Sequence, residues 1–315
     1  MNSNHALDGA AALAGPAAPT PHWGLIRATG PDAGNFLHGQ LTNDFAALGP
    51  TEARLAAYCS PKGRMLASFV AWRSTDDEIL LACHPSVLAA TVKRLSMFVM
   101  RAKCKLSDAS ADWSVTGLVG SAAESAGLAL AVWQHTVVGA VHWIRLPDAA
   151  GLQRVVRVEA AGGAAPAATL GLADWRWLEL QSGIATIEAA TADQFVPQML
   201  NYELVGGVNF QKGCYPGQEI VARSQYRGTV KRRTFLYDCD AIGIAAGAEV
   251  YEAADPSQPA GMVANGAARP GGGSSALVEV KLTAVDGSLH VGSVDGPVLH
   301  ARPMPYVPLA ATDVG

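Results

Sequence analysis

Lys212–Arg223 reads KGCYPGQEIVAR, and the rest of the chain is best read outward from it. Gly213 and Gly217 leave the backbone around Cys214 open, and Pro216 suits a first helical position, where a missing N–H is harmless. Glu219, Ile220, Val221 and Arg223 then continue as a short amphipathic helix ending near Gly228. This spacing predicts a thiol at a helix entry, where first-turn N–H groups favour thiolate. Lys212, two residues away, adds a positive neighbour. A free cysteine can equally be a small buried hydrophobe without chemistry. Between 212 and 233, Lys212, Arg223, Arg227, Lys231, Arg232 and Arg233 face only Glu219. That cluster reads either as a solvated basic face or as a site for an anionic ligand or RNA. Arg223 lies one helical turn after Glu219, so the two can also pair with each other.

At 315 residues the chain exceeds the size at which single cores stop growing, so two or three domains are expected. Half of its residues are hydrophobic and 16% charged, a globular composition, and the net charge of −4 offers no overall field for nucleic acid or anionic membrane. The five cysteines stand at least 21 residues apart with no CxxC pair, which excludes a zinc ribbon and argues against a disulfide framework. A reducing, cytoplasmic location is expected, and residues 1–21 contain no Lys or Arg for a secretory or transit signal. The apolar stretch 127–144 is interrupted by Gln134, His135, Thr136 and His142, so two buried strands are expected there rather than a membrane span. His22, His38, His84, His135 and His142 lack metal-site spacing, and no metal ligands are assigned.

Strand patterns at 23–29, 54–59, 64–72, 78–83 and 103–107 alternate with helix signals after Asp32 and at Pro85. Residues 113–159 carry three or four more strands, then a linker (AAGGAAPAA) and an aromatic-rich helix over 174–181. After Gly228 only short strands between Gly, Asp and Pro turns remain, at 230–237, 276–283 and 289–291, a small antiparallel barrel or sandwich.

Four segments in order resemble the YgfZ family, relatives of the glycine-cleavage T-protein. They are GQLTNDF (39–45), AAYCSPKGRMLASF (56–69), the long run 192–233 and, within it, KGCYPGQE. The similarity spans about 22–308. It implies an α+β fold: two intertwined T-protein-like lobes over 22–228 (about 22–110 and 111–228), preceded by a disordered tail (1–21) and followed by a β-barrel (229–315). It also implies tetrahydrofolate in a central opening, and a role in assembly or repair of iron–sulfur clusters, including those of tRNA-modifying enzymes. The partners implied are a folate and iron–sulfur enzymes or their assembly factors, without a membrane; direct tRNA contact through 227–233 is a further option.

Trp23 and Trp177 match family positions that contact folate, though indoles are also ordinary core residues. Arg223, Tyr226 and Arg227 are candidates for its anionic tail. Asn43 and Asp44, like Lys62 and Gly63, read first as turn or cap residues, and the former as cleft neighbours by resemblance. The motif comprises Lys212, Gly213, Cys214, Tyr215, Gly217, Gln218 and Glu219, with Cys214 as the reactive thiol and the other cysteines structural. T-proteins use an acid after the turn that Lys62-Gly63-Arg64 matches; here Met65-Leu66-Ala67-Ser68 offers none. Aminomethyl transfer with conventional turnover is therefore not expected. A one-carbon transferase using another catalytic group is the alternative.

Overall fold

The computed structural model describes residues 15–16, 23–126, 128–163, 167, 169–226 and 230–308. Most of the tail expected over 1–21 lies outside them. Two of its residues form a short strand β1 (Gly15–Pro16) paired with Val119 and Leu118.

The apolar runs of the first hundred residues become one antiparallel sheet. Its members are β2 (Gly24–Thr29), β3 (Ala53–Cys59), β4 (Met65–Thr75), β5 (Glu78–Cys83) and β6 (Lys105–Asp108), in the order β3-β4-β5-β2-β6. Helices α1 (Ala33–His38) and α2 (Pro85–Ser96) interleave with these strands. Pro85 opens α2, and the ring of His84 accepts a hydrogen bond from the Ser86 N–H. Val87, Leu88, Thr91 and Leu95 form its buried stripe. In β3 six of seven residues are buried, so the sheet is covered on both faces instead of alternating. Cys59 and Cys83 lie inside, their thiols pushed up to about 12 by burial.

A second antiparallel sheet holds β1, β7 (Trp113–Val119), β8 (His135–Val138), β9 (Val141–Ala149) and β10 (Leu152–Ala160), with α3 (Ser121–Ser125) after β7. The apolar stretch does contribute strands: β8 and β9 form a hairpin whose His135 and His142 stack with centroids 5.3 Å apart. Among the described residues no helix is long and apolar enough to cross a membrane. The two sheets meet at their edges, where the Ala53 N–H donates to Trp133 O and the His135 N–H to Thr51 O.

Helix α4 (Leu172–Gln181) is buried on opposite sides because it lies between the second sheet and the barrel. Trp175 presses onto β7, where a Cβ on Gly117 would stand 2.2 Å from its ring. Only glycine permits that approach. On the other side Trp177 Nε1 donates to Ser275 Oγ at 3.1 Å. Each indole buries about 150–250 Å², contributing on the order of 4–6 kcal/mol as an upper bound.

Beyond α4 the chain returns to the first sheet. The Ile187 N–H donates to Ser68 Oγ, the Met65 N–H to Phe195 O, and Tyr202 Oη to Ala185 O. This return is what intertwines the lobes.

The last unit is a closed antiparallel barrel. It contains β11 (Arg232–Cys239), β12 (Glu249–Glu252), β13 (Gly261–Ala268), β14 (Ser274–Lys281), β15 (Leu289–Val291) and β16 (Val298–Arg302). Their order around it is β11-β14-β13-β12-β15-β16. The barrel has its own apolar core, and Leu236, Ala264 and Leu277 on its outside join the core of the lobes.

Candidate functional site

Where the first sheet, α4 and the barrel converge, two cavities share the walls formed by Trp23, Glu179, Ile184 and Thr186. The smaller one is about 50 Å³ and reaches Arg154 of β10. The larger one, about 340 Å³, extends toward His84 and Asn265 of β13. Glu179 organises the junction: one of its oxygens, Oε1, accepts from Trp23 Nε1 at 2.9 Å and from Trp175 Nε1 at 3.0 Å. The Trp175 bond follows from helix geometry, since the residues are one turn apart. The Trp23 bond spans 156 positions and exists only in the folded chain. Arg154 is buried, and its guanidinium lies 5.6 Å from the Trp175 ring centroid. Burial brings its pKa down to about 10, Glu179 opposing that fall and Arg145 adding to it.

Of the sequence candidates, Trp23 is on this wall and Trp177 is not, because its indole turns to Ser275. Glu179 and Arg154 were not anticipated. For Glu179 the one available signal is an acid four positions after a tryptophan in an aromatic helix. Arg154 carries none; it is an ordinary strand arginine until the helix covers it.

The KGCYPGQE segment folds differently from its prediction. Helix α5 runs Gln218–Tyr226, so it starts two residues after Pro216, and Cys214 lies four residues before it. The reason is Gly217, held at φ +79°, where a Cβ would meet Ser60 O at 2.4 Å and the backbone of Gly63 at 2.7 Å. Gly63 is itself left-handed and sits under Ile220. The loop is thus keyed onto the 60–64 turn, and a helical backbone through 216–217 would break that seat. Its first-turn N–H groups do not cap the thiol. The Gln218 N–H donates to Tyr215 O and the Ile220 N–H to Gly217 O instead.

Cys214 is exposed, whereas Cys59, Cys83 and Cys239 are buried. Lys212 beside it is buried, donating to the carbonyls of His38 and Leu41, with its ammonium 4.9 Å from the Tyr215 ring centroid. Burial lowers the Lys212 pKa to about 8, against the pull of Asp44 and Cys214. His38 borders the same loop: its Nε2 is 3.1 Å from the place a Cβ on Gly213 would take, and its Nδ1 is 2.8 Å from Asp44 Oδ1. Burial would raise the Asp44 carboxyl, but the Ala47 N–H and His38 hold it below its usual range. Cys214 lines neither central cavity. The thiol and the hollow are separate features.

The basic cluster is divided in the fold. Arg233 is buried against Glu203, and Arg232 pairs with Glu279. These internal pairs take Arg232 and Arg233 out of the basic run, while Lys231 and Arg223 stay exposed. Arg227 lies outside the described residues. Arg223 is exposed and pairs with Glu219 at 3.2 Å, and Tyr226 is exposed against Phe210. Asn43 is a turn residue, donating to Leu55 O and Gly206 O and accepting from the Asp44 N–H. Among the described residues no group of three or more His, Cys, Asp or Glu is placed to hold a metal ion.

This two-sheet-and-barrel architecture is that of the glycine-cleavage T-proteins. The aminomethyltransferase T of Bartonella henselae superposes with a TM-score of 0.74 at 19% identity, covering 96% of this chain and 90% of that one. Within that fold the sequence is more specific. The tRNA-modifying protein YgfZ of Edwardsiella ictaluri (strain 93-146) is 33% identical over 239 residues, 68% of each chain. The protein of that name from Photorhabdus laumondii is 32% identical over 224 residues, 67% of each. No protein-family model matches. The chain belongs to the YgfZ family.

Proposed function

We propose that this chain is a tetrahydrofolate-binding accessory protein. It helps assemble or repair iron–sulfur clusters, including those of tRNA-modifying enzymes, with the Cys214 thiol as its reactive group. The feature that carries the folate reading is the Glu179 carboxylate at the junction of the two cavities, braced by two indole N–H groups. A reduced pterin is flat, with N–H donors along one edge. A carboxylate accepts several such donors, and Trp23 offers an aromatic face beside it. The cavity of about 340 Å³ is in the range of small-molecule sites. The relatives' name, tRNA-modifying protein, supports the client class. The exposed Cys214, set apart from the cavities, supports a thiol that meets a partner protein while folate stays inside.

Tetrahydrofolate should quench tryptophan fluorescence saturably, and Trp23→Phe should remove most of that signal while Trp177→Phe leaves it. Glu179→Gln should weaken binding about tenfold or more, the loss of a charge-assisted hydrogen bond. An unchanged spectrum at saturating tetrahydrofolate would overturn the folate reading. Cys214→Ala should bind folate normally yet fail to restore iron–sulfur enzyme activity in cells lacking the protein; full complementation would remove the thiol from the account. Production of methylene-tetrahydrofolate from amine donors would favour a transferase instead.

A further inference from the structure

Arg154 presents an unusual economy. It is 2% exposed, its Nε donates to Pro147 O at 3.0 Å, and its Nη1 is buried with no hydrogen-bond partner among the described residues. A buried donor left unpaired costs about 1–3 kcal/mol, and more when charged. The same side chain lines the smaller cavity, together with Trp23 and Glu179. A cationic side chain of a cavity wall with a donor left unpaired calls for an acceptor from outside the chain.

The larger cavity, about 340 Å³, has room for a ring system, and it meets the smaller one at Trp23 and Glu179. A 4-oxo pterin presents its carbonyl oxygen next to the N3–H and the 2-amino group, one acceptor followed by two donors. Arg154 and Glu179 offer the complement: a donor and an acceptor on the wall of one cavity.

We propose that Arg154 is a specificity residue of the folate site, its guanidinium donating to the 4-oxo oxygen and selecting 4-oxo over 4-amino pteridines. This rests on the folate reading above. A 4-amino group would turn a donor toward a guanidinium that has no lone pair to accept it, leaving both unpaired.

The test titrates the full chain with tetrahydrofolate and with its 4-amino-4-deoxy analogue, followed by tryptophan fluorescence and calorimetry. The native protein should prefer the 4-oxo compound by about 10- to 100-fold, the range for a hydrogen bond to a charged group. Arg154→Met, close to arginine in length, should lose that factor for tetrahydrofolate and leave the analogue's affinity nearly unchanged. Arg154→Lys, which keeps the charge without the fork, should fall between the two. A folded variant that discriminates as the native protein does would overturn the role of Arg154 while leaving folate binding intact. If Arg154→Met fails to give a cooperative melt, the lysine variant and the native preference decide; equal affinity of the native protein for both compounds also overturns it. Binding of neither compound would instead bring down the folate reading itself.

Discussion

The central cavity and the Cys214 loop are built on opposite plans. The loop is dense in sequence signal and thin in buried side chains: Gly213, Cys214 and Glu219 are exposed, and its shape comes from glycine backbone seated on another turn. The cavity wall has almost no sequence signature, yet its Trp23, Arg154 and Glu179 come from three distant parts of the chain and are fixed by burial and hydrogen bonds. A local motif marks a conformation that neighbours in sequence must cooperate to make. A pocket made by packing marks nothing locally.

If that contrast holds, perturbations should separate along it. The largest effect is expected at Arg233, which the basic cluster of the sequence would have exposed. Arg233→Met leaves the Glu203 carboxylate buried without its partner and should cost about 3–5 kcal/mol in urea unfolding. A loss below 1 kcal/mol would mean the pair is not buried as described. Gly217→Ala comes next. Left-handed backbone and contact with Ser60 O should together cost about 1–3 kcal/mol, with tetrahydrofolate affinity unchanged. A matching loss of folate affinity would show that loop and cavity are one unit.

A third effect concerns pH. Lys212 titrates near 8 when folded against an ordinary 10.5, so between these values the unfolded chain holds the extra proton. Stability therefore carries a penalty below pH 8 that is relieved as pH rises toward 10.5. The unfolding free energy of the native protein minus that of Lys212→Met should climb across that window; a flat difference would refute the burial. The smallest effect is expected at Arg223→Ala, below about 0.5 kcal/mol, because both members of its pair are exposed.

Much of the fold was legible because burial imposes periodicity. Most strands of both sheets and α2 follow from apolar spacing, α4 from its aromatic content, and four family motifs in order supplied the T-protein architecture. The barrel was legible only in part. Strand β13, GMVANGAA, is absent from the strands read in the sequence, because Val263 is its only β-branched residue. Its Gly261 and Gly266 are there for close approach: a Cβ would come within 2.2 Å of Glu279 O and 2.1 Å of Ile244 O. The start of α5 was misplaced for a related reason. Pro216 obeys a local preference, and the contact of Gly217 with the 60–64 turn overrides it.

The amino-acid order alone settled the family, the lobes-and-barrel plan and the location of the exposed thiol's motif, since each is written in neighbouring residues or in their periodicity. Only the tertiary structure decided that Glu179 is clasped by two indoles, that Arg154 of the cavity wall buries a donor with no partner among the described residues, and that half of the basic run turns inward. Charge and hydrogen bonding act over a few ångströms through space, and the chain's fold, not its order, sets which groups come that close.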